Sequence, residues 1–100
     1  MPAYIVTQLT VLDPEPYERY RKLAPPTIAQ YGGKYLIRGG HTETLEGTWL
    51  PKRFVILEFP DLEAARAWWS SPEYAALKSV RHECAETEML LAEGLAEQPF

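Results

Sequence analysis

The feature that most constrains this chain is the alternation along residues 3–12. Side chains of a strand point to opposite faces in turn, so Ile5, Thr7, Leu9 and Val11 share one face and Tyr4, Val6, Gln8 and Thr10 the other. Both faces carry apolar groups, which predicts a strand covered on two sides. A chain of 100 residues has room for one core and no second domain.

The remaining segments follow from local chemistry. Asp13 then Pro14 predicts an N-cap with proline in the first helical turn. Tyr17, Tyr20, Ala24, Ile28 and Tyr31 fall along one side of that helix. Pro25 and Pro26 predict a bend or break near Ala24, and Gly32 with Gly33 a stop. A second strand is expected over residues 34–38, resuming over 42–45. Between them Gly39 and Gly40 predict a bulge, a bend or a close approach by another group. Residues 53–59 form the clearest strand, with Phe54, Ile56 and Glu58 alternating against Val55, Leu57 and Phe59. Pro60 and Asp61 open a second helix whose core side is Leu62, Ala65 and Trp69, with Trp68 close by. Ser71, Pro72 and Glu73 restart it, so a corner falls at Ser70 and Ser71. Leu77, Val80 and Cys84 are the apolar side of the second piece, and residues 87–92 close the fold as a fourth strand.

The order β-α-β-β-α-β predicts an α+β, ferredoxin-like fold with an antiparallel four-stranded sheet and its helices on one face. Residues 1–94 read as the single domain and 95–100 as a C-terminal tail. The other sheet face is expected to carry Tyr4, Val6, Tyr35, Ile37, Phe54, Ile56, Met89 and Leu91. Left in water this would be a large apolar patch, so a homodimer through the open sheet face is expected. Twelve aromatic residues, generous for this length, also point to an interface or a ligand pocket.

A net charge of −4 with scattered Lys and Arg argues against nucleic-acid binding. Neither a signal peptide nor a membrane-spanning stretch is legible, and lone Cys84 excludes an internal disulfide framework, so a soluble cytoplasmic protein is expected. His41 and His82 share no ligand spacing and Cys84 follows His82 by only two positions, so no metal is expected, and no cofactor motif is present.

The stretch from Tyr31 through Gly40, YGGKYLIRGG, resembles the HGGRYLVRGG signature of the bacterial DUF1330 family of uncharacterised proteins, within the dimeric α/β-barrel superfamily. Leu45 to Trp49, Pro51 to Arg53, Glu58 to Asp61 and Ala67 to Tyr74 resemble its later steps, as do Arg81, Glu93 and Gly94. Tyr31 stands where the family usually has His, and Trp69 where it usually has Tyr. The resemblance implies a ferredoxin-like fold dimerising through its sheets into a barrel, and implies no particular reaction.

Arg38 and His41 flank the glycine step: candidates for an anion anchor for a carboxylate or enolate and a proton donor or acceptor near neutral pH, the alternative being that Arg38 pairs with a carboxylate and His41 sits in a solvated loop. Glu58, on the strand face of Phe54 and Ile56, is the candidate general base, the alternative being a structural pair with Arg53, Arg81 or a residue across the dimer. Trp49, Trp69, Tyr74 and Arg81 are candidate ligand-binding residues; for Trp69 the competing assignment is core packing. Two functions stay open: a cofactor-independent enzyme of isomerase or monooxygenase type acting on a small organic acid or aromatic, or a non-catalytic dimeric binding or structural module.

Overall fold

The computed structural model describes residues 1–97; the last three residues of the expected tail lie outside them. Seven elements follow in order: β1 (Ala3–Val11), α1 (Pro14–Gln30), β2 (Lys34–Arg38), β3 (Arg53–Phe59), α2 (Leu62–Trp69), α3 (Pro72–Cys84) and β4 (Ala85–Glu93). The sheet is antiparallel with strand order β2-β3-β1-β4, the ferredoxin-like arrangement, and the second helical stretch is broken into two.

Local chemistry sets the helix boundaries. Asp61 accepts a hydrogen bond from the Ala64 amide at 2.8 Å, and Ser71 one from the Tyr74 amide at 3.1 Å. These caps fix the corner expected at Ser70 and Ser71. Asp13 occupies the N-cap of α1, but its side chain caps nothing.

Pro25 and Pro26 do not break α1, which runs on to Gln30. A proline's fixed φ is compatible with a helix, and what is lost is the donor to the carbonyl four residues back. Burial of Ala24 and Ile28 on the sheet holds the backbone through that step. The expected strand over 42–45 is also absent: residues 40–50 pair with no strand, and the loop instead ties itself at Thr44, whose hydroxyl donates to the Trp49 carbonyl.

Register decides which side chains meet the helices. In antiparallel pairs directly opposed residues share a face. Ile5 faces Leu57 and Leu91, and Thr7 faces Val55 and Met89, so all of these point toward the helices. Met89 and Leu91 thus leave the open face where the alternation of β4 alone suggested them, and Leu90 takes that side. In β2 a bulge between Tyr35 and Ile37 shifts the register, so that Tyr35 opposes Leu57 while Arg38 opposes Val55. Both therefore point toward the helices, and Ile37, opposite Ile56, stays on the open face.

The core joins Ala3, Ile5, Leu57 and Phe59 from the sheet to Ala24, Ile28, Ala65, Trp68 and Tyr74 from the helices. Trp68, rather than Trp69, is its central ring at 1% exposure, stacked 4.1 Å from the Tyr74 centroid and 5.6 Å from that of Phe59. Trp69 is 37% exposed, with Lys78 Nζ 3.8 Å above its ring. In urea unfolding, Trp68→Ala should cost about 3–5 kcal/mol, whereas Trp69→Ala should cost about 1 kcal/mol or less, the scale of an exposed cation–π contact. Equal losses would place both indoles in the core.

Candidate functional site

Between the sheet and the helices lies a cavity of about 40 Å³, and four of its lining residues are arginines: Arg21, Arg38, Arg53 and Arg81. A water molecule's share of liquid volume is roughly 30 Å³, so the inner part of the cavity has room for one or two waters, and the cavity opens to solvent on one side. Tyr17, Tyr20, Tyr35 and Trp68 supply aromatic wall, and no carboxylate lines it among the described residues. In a chain of net charge −4 this is a concentrated positive site.

Each arginine arrives by a different route. Tyr74, Leu77, Arg81 and Cys84 recur at helical spacing along α3, so Arg81 sits on the buried side of its helix, 2% exposed. Its Nε donates to the Tyr74 hydroxyl at 3.2 Å, and that hydroxyl lies 2.6 Å from the Tyr20 hydroxyl on the cavity wall. Among the described residues no carboxylate comes within ion-pair distance of Arg81, Arg38 or Arg53. Arg21 is different, being held by both oxygens of Glu18 at 2.7 and 3.0 Å.

Arg53 begins β3 in phase with Val55 and Leu57, which aims it at the cavity; its guanidinium lies over Tyr17, 5.7 Å from the ring centroid. It passes so close to Gly39 (φ +71°) that a Cβ there would fall 2.5 Å from Arg53 Nη1. The close approach expected at this glycine is made by Arg53. Arg38 reaches the cavity through the β2 bulge, stacks 4.5 Å from the Tyr35 ring centroid and donates through Nη2 to the Arg21 carbonyl at 2.5 Å. Arg38 is exposed and Arg21 and Arg53 are half-buried, so these three mark the mouth, with buried Arg81 at the inner end.

Titration follows burial. The Tyr20 phenol is pushed far above its ordinary value by desolvation first and by neighbouring Tyr74 second. Desolvation also raises Tyr35, against the pull of Arg38. Both are neutral hydrogen-bonding groups at physiological pH. Burial likewise raises the Cys84 thiol, which is the wrong direction for a nucleophile.

The other candidates lie elsewhere. Glu58 is on the open face, paired with Lys34 at 3.2 Å, across the sheet from every cavity arginine. His41 sits in the exposed loop, 3.1 Å from Glu43. Trp49 folds over the open face, edge-on to Phe54 at 5.8 Å with its indole N–H donating to Gln8. Trp69 rims a separate shallow groove beside Leu90 and Leu91. Tyr74 is buried behind the cavity wall and supports Tyr20 and Arg81. Tyr31 donates to Glu73 at 2.8 Å, a tie between α1 and α3. Of the residues singled out from sequence, Arg38 and Arg81 converge on the cavity; Arg21, Arg53 and the tyrosines were missed. The phase of Arg53 with Val55 and Leu57 was the available signal.

The family model described as "Domain of unknown function (DUF1330)" matches residues 2–95. The chain belongs to the DUF1330 family. No curated protein matches it. Among solved structures, this DUF1330 protein is similar to a protein of unknown function from Rhodopseudomonas palustris, at 19% identity over 96% of this chain and 84% of that one, with a TM-score of 0.75. A dimeric ferredoxin-like protein of unknown function from Jannaschia sp. CCS1 matches at 12% identity over 94% and 100% of the two chains, TM-score 0.68. SnoaB from Streptomyces nogalater, described as a cofactor-independent oxygenase, matches at 15% identity over 99% and 98%, TM-score 0.66. At these identities the likeness concerns the fold.

A buried cation without a counter-ion is costly to the fold, and replacing such groups by apolar ones of similar volume is often neutral or stabilising. Arg81→Met of this DUF1330 protein should therefore unfold in urea at unchanged or higher denaturant without ligand, by up to about 3 kcal/mol. A loss of more than about 2 kcal/mol would assign Arg81 a structural role.

Proposed function

We propose that this protein binds a small aromatic or enolic anion with its charged oxygen in the arginine-lined cavity and the rest of the molecule at the solvent-facing mouth, and stabilises the anion there for cofactor-independent chemistry. The observation that carries this reading is Arg81, 2% exposed and without a carboxylate partner among the described residues, in a cavity that three further arginines line. A site of this charge lowers the free energy of a bound phenolate, enolate or carboxylate relative to its neutral acid. A phenol or β-dicarbonyl compound bound here is shifted toward its conjugate base, the electron-rich form that isomerises or reacts with oxygen. Neutral Tyr20 donates to the bound oxygen, and the aromatic side chains at the mouth pack on the ring. The description of SnoaB as a cofactor-independent oxygenase agrees with chemistry of this kind on this fold.

A second reading, binding without turnover, is favoured by one observation. No His, Asp or Glu lines the cavity among the described residues, so a general base is missing from its wall. The two readings separate on product formation under air.

The binding claim is tested with 4-nitrophenol, whose ionised form absorbs visibly. The phenolate should bind at least tenfold more tightly than the phenol, a difference of about 1.4 kcal/mol that lowers the apparent pKa by about one unit. Arg81→Met should abolish the preference. Equal affinity for both forms would sink the proposal.

We further propose a homodimer through the open sheet face. Tyr4, Val6, Ile37, Phe54 and Ile56 lie there half-buried, and Leu90 is 59% exposed beside them. The Jannaschia neighbour, described as dimeric, supports this reading. Ile56→Asp would set a charge in that interface, and native mass spectrometry should find monomer, or the protein should become insoluble. A soluble unchanged dimer would place the interface elsewhere.

A further inference from the structure

Pro25 stands where a helix would supply the amide donor for the Arg21 carbonyl. The donor that this carbonyl receives instead is the Arg38 guanidinium, at 2.5 Å from Nη2. We infer that Pro25 is a positioning residue for the anion site: by stripping the Arg21 carbonyl of its helical partner, it creates the acceptor that fixes Arg38 at the cavity mouth. This rests on reading the cavity as an anion site.

Three features converge on the arrangement. The β2 bulge turns Arg38 toward the helices. The Tyr35 ring supports the flat face of the guanidinium, 4.5 Å from its centroid. The Arg21 carbonyl then pins one edge, using a single N–H and leaving the rest of the donor fork for a ligand oxygen. A long flexible side chain held in this way loses little further entropy on binding, which is how a surface arginine becomes a preorganised anchor. Pro26, the adjacent proline, removes the donor to the Lys22 carbonyl instead; Lys22 does not line the cavity, and Arg38 makes no hydrogen bond to its carbonyl. The two prolines are thus unequal in their consequences.

The test compares Pro25→Ala, Pro26→Ala and Arg38→Ala, with 4-nitrophenolate as probe. Pro25→Ala restores the helical amide, which competes for the Arg21 carbonyl and releases Arg38. Its melting temperature should be unchanged or higher while phenolate affinity falls threefold or more. A merely structural proline would move stability and affinity together. Pro26→Ala should leave affinity within twofold of wild type. The double variant Pro25→Ala with Arg38→Ala should bind no more weakly than Arg38→Ala alone.

Side-chain ¹⁵N NMR supplies a readout that needs no ligand: slowed rotation of the Arg38 guanidinium in the wild type, restored to fast exchange in Pro25→Ala. Unchanged affinity in Pro25→Ala where Arg38→Ala weakens binding overturns the inference, as does an Arg38 signal that Pro25→Ala leaves unaltered. A wild type that binds no phenolate overturns the anion-site reading, and the NMR comparison then decides the role of Pro25 separately.

Discussion

A guanidinium taken out of water has to be compensated, and in this protein the compensation available to Arg81 is incomplete. Its Nε finds the Tyr74 hydroxyl, and through it Tyr20, but no carboxylate follows it inward among the described residues. Packing on either side of the cavity is arranged around that group. Trp68 and Tyr74 stack behind it, and β1 lines the space with Thr7 as well as Leu9. A core designed for stability alone would fill this volume with a leucine or methionine. Retaining a charge there makes sense when an anion completes the site.

The sheet brings the remaining charge to the same place by two devices in β2 and the turn after it. One is the bulge, which turns Arg38 inward without moving Tyr35 outward. The other is Gly39, whose missing Cβ leaves the space that the Arg53 guanidinium occupies. Gly39 also donates its amide to the Phe54 carbonyl at 2.8 Å, so the turn is anchored to the strand that carries Arg53. A methyl group at that position would strain the backbone and displace the guanidinium together. The two faces of the sheet differ: cations gather beneath the helices, while Glu58 and Lys34 pair on the open side beside its apolar residues.

Much of the fold is legible in the chain because it is encoded by neighbours in sequence. The alternation of Phe54, Ile56 and Glu58 with Val55, Leu57 and Phe59 located β3, and the serine and proline at 71 and 72 located the corner between α2 and α3. The candidate site was legible only in part. Arg38 was visible at a strand end beside its glycines, but as a ligand anchor together with His41, which the structure leaves exposed beside Glu43. Glu58 alternated onto the wrong face for this cavity. Trp68 and Trp69 are adjacent on one helix, about 100° apart, and which of them meets Phe59 depends on how the helix lies on the sheet.

The sequence by itself determined the element order, the four strands and the starts of α2 and α3, since periodicity and capping act over a few residues. Only the tertiary structure decided which faces those residues share. A one-residue bulge reverses a strand's sides, and whether it forms depends on the partner strand. A proline pair in a helix is a break or a continuation according to what buries the helix on either side of it. Four arginines spread over 60 positions become one site only when β2, β3, α1 and α3 close over the same space. Charge convergence of that kind is a property of long-range packing, and no local pattern carries it.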